Sequence, residues 1–98
     1  MAKGMTSAAS RDLAQGFGLL SDATRLGIIA ELKKGPTNVT PLCKALKAKQ
    51  PIVSHHLGLL RMGRLVEARR QGRSVTYTVN KAALKDLAAA LAKVTPKK

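Results

Sequence analysis

Residues 50–63 read QPIVSHHLGLLRMG and set polar Gln50, Ser54, His55 and Arg61 among apolar Val53, Leu57 and Leu60. On a helix of 3.6 residues per turn, Val53, Leu57 and Leu60 make one stripe and the polar residues fall on the other side. Short polar groups on such a face can hydrogen-bond the edges of nucleic-acid bases. Gln pairs with adenine through two hydrogen bonds, while Ser and His reach base edges or phosphates flexibly. Gly58 leaves room for close approach, and Arg61 lies far enough along to meet backbone rather than bases. The helix N-terminus offers free N–H groups and a positive dipole to a phosphate. Pro51 has no N–H, so that offer is expected from the residues after it. Lys44, Lys47 and Lys49 flank this end. His55 and His56 are helix neighbours pointing about 100° apart, so they form no metal clamp, and His56 reads as half-buried and structural.

A reading helix needs a scaffold, and the rest of the chain supplies its elements. Leu13, Phe17 and Leu20 recur at helical spacing and predict a first helix over Ser10 to Leu20, weakened by Gly16 and Gly18. Ser21 or Asp22 can cap a second helix with Leu26, Ile29 and Leu32 as its buried stripe, stopped by Gly35-Pro36. Thr40 then Pro41 reads as an N-cap and first-turn proline for a third helix, lined on one side by Val39, Leu42, Cys43 and Leu46. Ala48-Lys49-Gln50 forms a polar turn, Pro51 opens the fourth helix and Gly63 ends it. RLVEARRQGRSVTYTVN alternates about a Gln71-Gly72-Arg73 tip and predicts a β-hairpin, with Gly72 placed for positive φ. Asn80 can cap a last helix bearing Leu84, Leu87, Ala88, Leu91 and Val94. This order predicts a mainly α fold with a small β-hairpin, a winged helix-turn-helix. Arg69, Arg70 and Arg73 on the hairpin would lie along the DNA backbone or dip into the neighbouring minor groove.

Charge points the same way. The 98-residue chain carries 18 Lys plus Arg against 5 Asp plus Glu, a formal net charge of +13 that favours a polyanionic partner, double-stranded DNA. With one Phe, one Tyr and no Trp, the core must be aliphatic and small, and burial shared with a second copy would help it. One domain is expected over residues 10–94, between a flexible basic leader at 1–9 and a basic tail at 95–98. No apolar run suits a membrane span, and a lone Cys43 excludes an intrachain disulfide and suits a reducing, cytoplasmic setting. No nucleophile–base or paired-carboxylate pattern is visible, so an enzyme is not expected, and no cofactor is expected.

At the level of motifs, LLSDATRLGIIAEL and LCKALKAKQPIVSHHLGLLRMGRLVEARRQGRSVTYTV resemble the ArsR/SmtB family of bacterial winged-helix repressors. The first block carries Leu20, Asp22, Thr24, Arg25, Leu26 and Ile28 of that family's second-helix signature. The likeness runs from about Asp12 to Leu91. It implies a homodimer, joined by the first and last helices, that blocks transcription at an inverted repeat; Leu13, Phe17, Leu84, Leu87 and Leu91 would form its interface. Metal-sensing members show Cys-x-Cys-x-x-Cys where this chain has Asn38, Thr40 and Cys43, and others place ligands on the last helix, where residues 81–95 hold no His and a single Asp86. A zinc site needs about four ligands, so no metal is expected. The signal would be an unidentified small molecule or protein, or the repressor's own concentration. Two other readings are an architectural DNA-coating protein with little sequence choice and a thiol- or metal-responsive repressor using Cys43.

Overall fold

The computed structural model describes residues 7–96, with side chains described from Ser10 onward except at Val94. Residues 1–6 of the expected leader and Lys97 and Lys98 of the tail lie outside the described residues. The elements are α1 (Ser7–Leu19), α2 (Ala23–Leu32), α3 (Val39–Leu46), α4 (Gln50–Met62), β1 (Val66–Gln71), β2 (Ser74–Val79) and α5 (Lys81–Val94). The predicted winged helix-turn-helix is the observed fold. Helix α1 starts three residues before the expected Ser10 and so takes in Ser7–Ala9.

The core is aliphatic and gathers where α2, α3, α4 and the base of the hairpin meet. Ile28, Leu32, Leu42, Val53, Leu57, Leu60, Leu65 and Val66 are all buried. Each such side chain contributes about 1.5–3 kcal/mol by leaving water. On α2 the buried stripe is Ile28, Ile29 and Leu32, whereas the expected Leu26 is 53% exposed. The helical period explains the difference: Ile28 lies about 40° from Leu32 around the axis and Leu26 about 120°.

Ends of helices are closed by specific bonds. Asp22, not Ser21, caps α2, its carboxylate accepting from the N–H groups of Thr24 (2.9 Å) and Arg25 (3.1 Å). Ser21 instead donates its hydroxyl back to the Gly18 carbonyl and finishes α1. Helix α3 begins at Val39 behind Asn38, one residue before the Thr40 expected as its cap. Just upstream, Thr37 exchanges two backbone bonds with Tyr77 (3.1 and 2.8 Å), holding the chain extended against β2 until that point.

At Gly16, Gly27 and Gly63 an added Cβ would stand within 3.0 Å of a leucine side chain. A Cβ on Gly63 would overlap the Leu19 side chain, and one on Gly16 would stand 2.8 Å from a Leu87 methyl. Gly16 therefore lets α1 settle on α5, and Gly63 lets α1 settle on the end of α4. The turn after α4 puts its positive φ on Arg64 (62°) rather than on Gly63. Asn80 supports that residue: its Nδ2 donates to the Arg64 carbonyl (2.8 Å) while its Oδ1 accepts from the Ala83 N–H (3.2 Å) at the start of α5.

Replacing Asn80 with alanine removes both bonds, and urea unfolding should show a loss of about 1–2 kcal/mol. A second expectation concerns acid. The Arg25 N–H bond holds the Asp22 carboxyl below the ordinary aspartate value; His56, the Thr24 N–H and the Arg25 guanidinium assist, and partial burial opposes. A lowered folded-state value makes the cap's charge-dependent contribution full above the ordinary value of about 3.9 and lost as pH falls through the lowered one. The stability advantage of wild type over Asp22→Asn, measured by thermal unfolding, should therefore shrink below about pH 4.

Candidate nucleic-acid interface

Helix α4 buries Val53, Leu57 and Leu60 at 0, 1 and 0% exposure, and this fixes which side faces out. The exposed side divides into two rows. Gln50, Ser54 and Arg61 stack along one flank of the core stripe, while Pro51, His55 and Met62 stand directly opposite it, with Gly58 between the rows. All six of these polar or terminal residues are exposed, and a Cβ on Gly58 would meet nothing within 4 Å. Ser54 and His55 are thus on one face but about 100° apart, so each can address a different part of a groove.

At the leading end, Gln50 is the first helical residue, Pro51 the second, and Lys49 the cap in extended conformation. The N–H groups of Ile52 and Val53 both donate to the Lys49 carbonyl at 3.1 Å. This corrects the expectation that residues after Pro51 offer their amides to a phosphate; the dipole and the lysines remain. Lys44, Lys47 and Lys49 are exposed around this end, and Lys47 turns the corner between α3 and α4 in the left-handed region (φ 53°, ψ 44°). Ile52 (48% exposed) and Met62 (82%) add apolar groups at the two ends of the helix that the polar pattern did not flag. His56 is half-buried as expected, its ring packed edge-on to His55 at 5.3 Å.

The hairpin pairs Val66 with Val79 through Gln71 with Ser74, leaving Gly72-Arg73 as its two-residue tip. Gly72 takes φ 63°, as a turn with glycine first requires. Side chains alternate across a ribbon, so Arg70 shares a face with Val66, Ala68, Tyr77 and Val79, whereas Arg69 shares the other with Glu67, Gln71, Thr76 and Thr78. The predicted trio of arginines is therefore spread over both faces and the tip. Among the described residues Lys34 forms an ion pair with Glu31 (3.1 Å) and His56 Nδ1 lies 3.9 Å from the Asp22 carboxylate, whereas the cations of α4's flank and of the wing form no ion pair.

Of the residues expected at a partner interface, Leu13 and Leu84 are half-buried, Phe17 is 36% exposed and Leu91 55% exposed. Leu87 is a correction: it is 6% exposed and packs inside its own chain against Gly16 and the core. On α5 the inward row is Ala83, Leu87 and Ala90; Leu84, Ala88 and Leu91 form its outer shoulder. Among the described residues, no three His, Cys, Asp or Glu side chains gather as metal ligands would. Asn38 is the α3 cap, Thr40 is exposed, and Cys43 is half-buried against the core.

Residues 22–68 match the family described as bacterial regulatory protein, arsR family. The chain is 45% identical over 65 residues to the arsenical resistance operon repressor of Escherichia coli, an alignment covering 65% of this chain and 56% of that protein's length. Among solved structures, an ArsR-like transcriptional regulator from Rhodococcus superposes with a TM-score of 0.78 at 30% identity, covering 89% of this chain and 82% of the other. A homodimeric winged helix-turn-helix DNA-binding domain from Mycobacterium bovis, a possible ArsR-family regulator, follows with a TM-score of 0.73 at 25% identity over 92% and 88% of the two chains. The chain belongs to the arsR family of bacterial regulatory proteins.

Proposed function

We propose that two copies of this chain bind one duplex at an inverted repeat and repress transcription from it. The observation that carries the reading is α4 itself: a core-facing stripe sealed from water, a polar face left open, and cations at its end and on the wing that form no ion pair among the described residues. Gln50, Ser54 and His55 read base edges in the major groove. Lys47, Lys49, Arg61, Arg69, Arg70 and Arg73 hold the phosphates, which sets affinity and position but little sequence preference.

The dimer forms through α1 and α5. The α5 shoulder of Leu84, Ala88 and Leu91, with Phe17 of α1, gives a partner copy an apolar surface. A groove of about 680 Å³ between α1, the end of α4 and α5 is lined in part by Leu13, Leu19 and Met62. The radius of gyration is 14.9 Å, against about 13 Å for a compact chain of this length. The Mycobacterium relative, described as homodimeric, lends support. Two reading helices then stand about 34 Å apart, one DNA turn. The protein works in the cytoplasm, where a single half-buried thiol stays reduced.

The net charge of +13 favours a second reading, an architectural protein that coats DNA. Selection of duplexes from a random pool, followed by competition, separates the two. A repressor should prefer its selected duplex over random sequence by roughly 10³-fold or more at physiological salt. Changing Ser54 and His55 together to alanine should erode that preference while sedimentation still reports a dimer; an unchanged preference would remove α4 as the reader. Changing Arg69, Arg70 and Arg73 to glutamine should weaken all duplexes alike and lower the salt slope by about 1 for each phosphate left without its cation. Arsenite, zinc and cadmium should leave DNA affinity untouched, as a lone Cys43 cannot complete a metal site. Release of DNA by any of them would instead favour the Cys43-based sensor.

A further inference from the structure

Where α1 ends and α2 begins, one arginine ties three helices together. Arg25 Nε donates to the Leu19 carbonyl at 2.6 Å, and its Nη1 lies 3.1 Å from His56 Nδ1 in the middle of α4. Its backbone N–H donates to the Asp22 carboxylate, which itself stands 3.9 Å from the same histidine nitrogen. The His56 side chain is 16% exposed, so water competes weakly for these partners. A guanidinium has donors only, so the bond to His56 requires a lone pair on Nδ1 and places the ring proton on Nε2. Lysine could not replace the fork, because its ammonium cannot hold two separated acceptors in a fixed plane.

Apolar packing of α4 is non-directional and fixes which side of the helix is buried far better than where the helix lies along its axis. A hydrogen bond, with its narrow range of distance and angle, supplies the missing direction. Leu19 receives the strap through its carbonyl, and its side chain fills the space that Gly63 leaves at the end of α4. Helix α1 rests in turn on α5 where Gly16 admits Leu87.

We propose that Arg25 is a positioning residue for DNA reading: through His56 it straps α4 to the α1–α2 corner and so sets where Gln50, Ser54 and His55 stand relative to the same residues of a second copy. Arg25 touches no base in this scheme. The inference rests on the DNA-reading function above and adds the part that holds the reader in place.

A double-mutant cycle tests it. Arg25→Gln, His56→Leu and the double variant are compared with wild type, alongside Arg25→Lys and His56→Gln, whose amide oxygen can still accept from Arg25. The probes are a duplex selected by the wild-type protein and a random-sequence duplex of equal length, at one salt concentration, with thermal unfolding measured in parallel. Arg25→Gln, Arg25→Lys and His56→Leu should each cut the preference for the selected duplex about tenfold, the scale of one hydrogen bond to a charged group. Binding to the random duplex should change far less, the double variant should be no worse than either single, and His56→Gln should keep most of the preference. Equal weakening of both duplexes, additive losses, or full preference retained by Arg25→Lys overturns the proposal. Should Arg25→Gln not fold, the contrast between His56→Leu and His56→Gln decides alone. A wild-type protein that selects no duplex would sink the DNA-reading function itself, a result separate from these.

Discussion

Val53, Leu57 and Leu60 leave water almost completely, and the core they enter has no aromatic bulk to spare. In so small an aliphatic core, α4 has one orientation that fills the space between α2, α3 and β1. Once that stripe is buried, the period of the helix dictates everything outside: Gln50, Ser54 and Arg61 on one flank, Pro51, His55 and Met62 on the crest. The open face is the remainder of a packing problem, and its chemistry follows from which residues remain.

Backbone polar groups at the rim are satisfied by a few specific residues, which is how the wing is held to this core. Asn80 serves the Arg64 carbonyl and the first turn of α5 with one side chain, and its own N–H donates to the Leu65 carbonyl at 2.8 Å. Thr37 adds a single residue of pairing to β2, so the hairpin is braced on its far strand as well as its near one. A crowd of positive charge would push such a small body apart, yet these anchors are neutral and short-range, and salt does not weaken them.

Much of this is legible in the sequence. Helix order, the Gly72 tip and the two stripes of α4 follow from periodicity and turn chemistry, since each rests on residues close in the chain. The misses have a common cause, which is contact between distant residues. Leu87 reads as partner surface until Gly16 proves to be its seat. Gly16 and Gly63 read as helix breakers or stops, and only the approach of Leu87 and Leu19 shows which side chains a Cβ there would displace. Ile28 and Leu26 are both apolar, and the choice between them needs the direction of the core. The bond from Arg25 to His56 spans 31 positions and leaves no local trace. Of the apolar residues on α5 that read alike in the sequence, the inner row of Ala83, Leu87 and Ala90 is used within the chain.

The corner between α3 and α4 has a further consequence. Lys47 sits in the left-handed basin, which is narrow for any residue with a Cβ and costs roughly 1–2 kcal/mol to occupy. Glycine there would be comfortable and loose, able to drift over a wide range of dihedrals. With lysine, the bend between α3 and α4 is confined to that small basin, and the N–H groups of Lys47 and Ala48 close it on the Lys44 and Cys43 carbonyls at 3.4 and 3.1 Å.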